Sequence, residues 1–308
     1  MILGFVLPGA FSASAQKGKT ASKPTATIRT IVLTTEPDAS VWINGVLWGT
    51  TDEQGKITLR GVPAGAHGLR VRADGFKEAT QTISAVQKGD LRVNLTKTTD
   101  EAELTFQQAE KATSDDKNKA AELYRKAVKL RPAYAEAYVG LARALADLGE
   151  MDAAHEAIAG ARKARPVYPE ASAVEGRLFK SEGDEEKAVE AFKRAVREGK
   201  GFQPEANTGL ALLYKERAES AGVSGDFQGE QQLYAEAVKY FAPAVKQLGG
   251  APDAVIVYQL YGLVFEKMEK YREAIAVYED FLRIFPDTSE ASAVQSFIVQ
   301  LKKQMAEQ

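Results

Sequence analysis

Three alanines, Ala120, Ala154 and Ala188, recur at a spacing of 34 residues, and their surroundings recur with them. Tyr124, Ile158 and Phe192 keep the same spacing, as do Ala127, Ala161 and Ala195, and Pro132 and Pro166 repeat it once more. A fixed period of this length means one supersecondary unit stacked on copies of itself, each burying an apolar face it could not bury alone. Within each unit, steps of four and three residues set small, large and small side chains on one helical face. The small residues let two helices approach closely, and the large one fills the space beyond. The proline that follows ends the helix, because it has no N–H to give to the ladder.

The helices preceding these agree with the period. Tyr138, Leu141, Ala142 and Leu145 match Ser172, Glu175, Gly176 and Phe179 one unit later. Leu210, Ala211 and Tyr214 mark a fourth unit. A fifth carries Tyr258, Tyr261, Gly262 and Phe265, then Ala274, Tyr278, Phe281 and Pro286. Three positions break the pattern. Gln108 stands where the first unit should have a small residue, Glu175 replaces an apolar one, and the fourth unit has about 14 extra residues between Tyr214 and Ala237. From residue 288 onward, Ala291, Val294, Phe297, Ile298 and Leu301 line one face of a closing helix. Residues 100–308 resemble the tetratricopeptide-repeat family, with about five repeats. The resemblance implies an all-α solenoid that binds a protein or peptide partner along its concave face.

Before residue 100 the period is two. Ile31-Val32-Leu33, Val41-Trp42-Ile43, Lys56-Ile57-Thr58-Leu59-Arg60, Leu69-Arg70-Val71-Arg72 and Leu91-Arg92-Val93-Asn94-Leu95 read as strands. Asn44-Gly45 is a hairpin turn, since both positions tolerate positive φ. About seven short strands in residues 28–97 predict a small antiparallel β-sandwich. Glu36-Pro37-Asp38-Ala39-Ser40-Val41-Trp42-Ile43-Asn44-Gly45, with Gly49-Thr50-Thr51 and Val62-Pro63-Ala64-Gly65, resembles a PEGA domain. The run from Thr51 to Gly65 equally resembles the carboxypeptidase regulatory-like family. Both resemblances imply a transthyretin-like sandwich without catalytic residues, typical of exported and envelope proteins. The fold class is therefore α+β multidomain: a small antiparallel sandwich, then an all-α solenoid.

Residues 1–15 are read as a truncated signal peptide, with an apolar run over residues 2–11 and a small-x-small site at Ala13-Ser14-Ala15. Residues 16–27, rich in Lys, Thr and Ser, form a flexible linker. The expected location is periplasmic or cell-surface in a bacterium, or cytoplasmic if the start is not a signal. The apolar run is too short to span a bilayer. A net charge of −2 gives no argument for nucleic acid. Cysteine is absent, which excludes disulfides, thiolate zinc sites and cysteine nucleophiles. With no Walker loop, dinucleotide glycine pattern, Gly-x-Ser-x-Gly or His-Glu-x-x-His, the expectation is no catalytic residue, no cofactor and no metal. His67 is placed in a turn and His155 on a solvated surface. Asp115-Asp116 and Glu185-Glu186 are placed at helix starts, where negative charge interacts favourably with the macrodipole.

Two sets of binding residues remain. By the repeat resemblance, Glu136, Val139, Arg143 and Asp147 of the second unit line the concave face. Glu170, Ala173, Arg177 and Ser181 stand in the same places one unit on, with Lys180 beside them. Arg143 and Arg177 thus form a column that could hold a partner carboxylate, unless glutamates within the array, Glu136 and Glu170, already neutralise it. Alternatively, Trp42 and Trp48 could stack on the sugars of a cell-envelope polysaccharide.

Overall fold

The computed structural model describes residues 28–307. The signal peptide and the linker expected from the sequence therefore lie outside the described residues. Among those described, nine strands precede eleven helices.

β1 (Arg29–Thr34) is the middle strand of one sheet, between β4 (Lys56–Val62) and β8 (Gly89–Arg92). A second sheet runs β3 (Val46–Thr50), β2 (Ser40–Ile43), β5 (His67–Arg72), β7 (Ala79–Ile83). Ile31, Leu33, Val41, Leu59, Leu69 and Val71 are buried between the two, as the period of two requires. The turn at Asn44-Gly45 has φ of 51° and 83°, the geometry of a two-residue hairpin, and Ile43 faces Val46 across it. One feature departs from the expected antiparallel sandwich: β1 and β8 run parallel. The chain passes through β5 and β7 in the other sheet before it returns, so β8 arrives along β1 in the same direction. A short pair, β6 (Phe76–Lys77) with β9 (Thr96–Lys97), completes the region.

The helices are α1 (Glu101–Ala112), α2 (Lys117–Leu130), α3 (Ala135–Asp147), α4 (Met151–Ala164), α5 (Pro169–Ser181), α6 (Glu185–Glu198), α7 (Pro204–Val223), α8 (Phe227–Leu248), α9 (Ala254–Lys267), α10 (Tyr271–Ile284) and α11 (Ala291–Glu307). They pack as successive antiparallel pairs, and first helices of adjacent units also touch. Ala120, Ala154, Ala188 and Ala274 are all fully buried. Tyr124, Phe192 and Tyr278 each lie over a glycine of a neighbouring helix, Gly140, Gly176 and Gly262. A β-carbon at Gly176 would come within 2.6 Å of the Phe192 ring. Asp116 and Asp184 accept hydrogen bonds from the N–H of Lys119 (3.0 Å) and Lys187 (3.1 Å), so these acids cap their helices. The extra residues of the fourth unit are not a loop. They prolong α7 and α8 to 20 and 22 residues, and the tip of this helical hairpin is solvent-exposed at Val223.

Residues 96–100, where the period changes, are tied down. Thr96 and Lys97 pair with β6, while Asp100 caps α1 through Ala102 and Glu103 and binds Arg131. The sandwich then touches both ends of the helical array. At the near end, the side chain of Gln107 on α1 donates to the Phe76 carbonyl (2.7 Å) and accepts from the Gly75 N–H (3.0 Å). Arg72 lies buried between Glu78 and Glu110. Gln108, which breaks the small-residue pattern, is exposed; the buried small residue of α1 is its neighbour Ala109. At the far end, Trp48, Val62, Leu248, Ala251 and Ile284 belong to one continuous buried cluster. The array is thereby closed into a ring, with the sandwich across the gap.

Candidate functional site

The concave face is formed by the first helices of consecutive units, α3, α5 and α7. Their charged residues are brought together largely as the repeat phase predicts. Their partners differ from expectation. Arg143 on α3 donates two hydrogen bonds, 3.0 and 2.6 Å, to the carboxylate of Glu205 in the first turn of α7. Arg177 on α5 reaches the same carboxylate at 3.4 Å, and Glu170 stands 3.6 Å from Arg143. Lys180 pairs with Glu216 at 2.7 Å. Glu136 turns instead to Arg165 at 2.5 Å, and Asp147 to Lys117 at 3.5 Å. Neutralisation within the array is thus real for Glu170 and not for Glu136. Two residues leave the set altogether. Val139 is 2% exposed and Ala173 is fully buried, so neither can touch a partner. Both pack in the hydrophobic cores between adjacent units.

Glu205 is the residue that sequence reasoning missed. A signal was present: Glu136, Glu170 and Glu205 each occupy the second position of a first helix. The last interval is 35 and not 34, because the turn at Gly199, Lys200 and Gly201 is one residue longer. Burial opposes the charge on Glu205, but Arg143 and Arg177 more than offset it and hold its carboxyl below the usual 4.5. Burial likewise opposes the charge of Arg143, and Glu205 and Glu170 keep it firmly protonated.

A depressed carboxylate stabilises the fold above its unfolded pKa, and that contribution disappears as pH falls through the folded value. The window therefore lies at and below about 4.5. Glu205→Gln should flatten the acid limb of a stability-against-pH curve in this window while lowering stability at neutral pH. An unchanged acid limb in the variant would refute the role assigned to Glu205.

Beside this network lies a cleft of about 840 Å³. One wall is the β2–β3 hairpin tip with Asn44, Gly45, Val46 and Leu47; the others are α5, α7 and the start of α9. Its charged lining, Arg143, Arg177, Lys180, Glu170, Glu205 and Asp253, sums to zero. Leu47 and Ile256 are the exposed apolar side chains in it, at 45% and 54%.

The tryptophans do not offer a sugar platform. Trp48 is only 7% exposed, packed into the shared core against the far end of the array. The ring of Trp42 is covered by the Arg70 guanidinium, 4.4 Å from its centre, with Arg72 at 5.2 Å. His155 is less solvated than expected. It stacks on Phe179 at 4.9 Å, and its Nε2 lies 3.1 Å from Glu182. His67 bridges Asn44 (2.9 Å) and the Pro63 carbonyl (3.0 Å). Glu175, anomalous in the sequence, is met by Arg162 and Arg194, so its charge is paired inside the stack. Among the described residues, no helix is long and apolar enough to cross a membrane, and no three His, Cys, Asp or Glu side chains gather as metal ligands.

Comparison with known proteins agrees with this architecture. The PEGA domain family matches residues 28–99. Tetratricopeptide-repeat families match residues 112–178, and again residues 170–198 and 255–288. Among solved structures, yeast Tom70 is similar at 16% identity over 67% of this chain and 41% of its own, with a TM-score of 0.53. A crystal structure of MamA is similar at 28% identity, over 48% of this chain and 78% of its own, with a TM-score of 0.37. Pseudomonas aeruginosa pilF gives 19%, 64%, 82% and 0.45 for the same four quantities. The Tom70 likeness shows the fold of the helical array alone. No curated protein matches the chain.

Proposed function

Because the chain is a PEGA domain followed by an array of tetratricopeptide repeats, we propose that it is a non-enzymatic scaffold holding a segment of a protein partner in the cleft between its two parts. Both families are typically non-catalytic, and such repeats imply protein–protein interaction. The observation that carries the finer reading is the cleft itself: an open concavity on the face that repeat stacks use for binding, with uncovered apolar side chains inside it. The partner is not required to bring a carboxylate for Arg143 and Arg177, since Glu205 already occupies both. An exported location is part of the proposal; its support is the apolar run and small-x-small site of residues 2–15, together with the PEGA resemblance.

Photo-crosslinking in the source cells tests the reading. A photoreactive side chain at Thr208, which lines the cleft, should yield a discrete adduct with one protein. The same group at Lys163, exposed on the outer helix α4, should not. The same adducts from Lys163 and none from Thr208 would mean that the partner sits elsewhere.

A further inference from the structure

The two walls of the cleft come from two different folds, and a glycine contact holds them in place. At the far end of the array, β4 runs against the turn between α8 and α9. A β-carbon at Gly250 would overlap the carbonyl oxygen of Arg60, and one at Gly61 would press on Ile284 and on Gly250 itself. Two backbones meet at a separation that only glycine allows. Gly250 does not have a positive φ, so its missing side chain serves the approach and not the turn. Trp48 lies against the neighbouring Gly249, and Arg60 pairs with Asp287. Together with the α1 contacts, this fixes the hairpin tip over the groove.

The hairpin does not fill the groove. The cleft stays open beneath it, with Leu47 on the hairpin wall and Ile256 on the α9 wall both left uncovered. The charges around them cancel, Arg143 and Arg177 being bound to Glu205 and Lys180 to Glu216. A site with a neutral polar wall and two uncovered aliphatic side chains is complementary to an uncharged, apolar segment. Resting on the scaffold reading above, we infer that the occupant is a short peptide segment whose apolar side chain sits between Leu47 and Ile256. Both domains grip it, and the Gly61–Gly250 contact sets the grip. The sandwich is then one jaw of the binding site and not a separate module.

The probe is a phage-displayed library of random short peptides selected on the full chain. Selected peptides should share an aliphatic or aromatic residue without an acidic cluster. Leu47→Asp and Ile256→Asp, both at exposed positions, should each weaken their binding about tenfold or more. Gly250→Ala should weaken it as well, although it touches no peptide, while circular dichroism stays that of the folded chain. Peptides that crosslink to Thr208 yet ignore Leu47→Asp and Gly250→Ala would overturn the two-jaw inference and leave the scaffold reading standing. Tighter binding by Gly250→Ala would also overturn it, since the sandwich would then be a plug. A selection that yields only acidic peptides, or none that the cleft variants release, overturns the apolar anchor.

Discussion

Alanine in place of Phe192 is expected to lower the unfolding free energy by about 3–5 kcal/mol, as for other fully buried aromatic side chains. Phe192 is fully buried on α6. Its ring is held on two sides: a β-carbon at Gly176 of α5 or at Gly209 of α7 would come within 2.6 and 2.5 Å of it. The ring therefore fills the space between the third and fourth units, where two glycines have made room for it. Helices α5 and α7 cannot close that space without moving the backbones that carry Arg177 and Glu205, so the cavity should persist. In a stack, each unit is stabilised by its neighbours, and a defect at one interface weakens the coupling across it. Urea unfolding of the variant should show the loss. Lys163→Ala, on the exposed face of α4, should stay within about 0.5 kcal/mol of the wild type. A Phe192→Ala loss no larger than that of the control would mean that the helices collapse around the site and that the glycine sockets are not what fix the spacing.

Which parts of the molecule were legible in advance follows from the range of the interactions involved. The helical array was readable because its information is local: small and large residues at steps of three and four, repeated every 34 positions. The strands with alternating burial were readable for the same reason, as was the Asn44-Gly45 turn. β7 was not, because only its last residue, Ile83, is buried. An edge strand that faces solvent on both sides has no alternation to read. The parallel pairing of β1 with β8 depends on which sheet each intervening strand joins, and no window of sequence records that. Arg143 and Arg177 do meet at one carboxylate, but that carboxylate was lost to a one-residue lengthening of the turn before α7, which put Glu205 out of phase. Glu175 shows the opposite case. It broke the apolar pattern visibly, but its reason lies in Arg162 and Arg194, on the second helices of two successive units. The closure of the ring was least legible of all. Gly249 and Gly250 read as an ordinary turn, and only the approach of β4 gives them a second meaning.

That closure carries the last expectation, which concerns Trp48. The period changes near residue 100, but the buried core runs without a break from Ile31 in the sandwich to Phe281 in α10. Trp48 stands at the junction, 7% exposed, with its indole N–H buried and without an acceptor. Trp48→Ala removes the largest apolar group at the contact and should cost about 3–5 kcal/mol, towards the lower end because the unpaired N–H leaves with it. Trp48→Phe keeps most of the ring and also removes the orphaned donor, so its cost should fall below about 1.5 kcal/mol. Calorimetry separates the coupled from the independent case. The wild type should show the sandwich and the C-terminal helices melting together, since neither can lose its face of the shared core alone. Trp48→Ala should split that transition, with the sandwich melting first, and Gly250→Ala should do the same by forcing the two backbones apart. Two resolved transitions already present in the wild type, unmoved relative to each other by Trp48→Ala, would mean that the junction is a contact without coupling, and that the hairpin jaw is not held over the cleft.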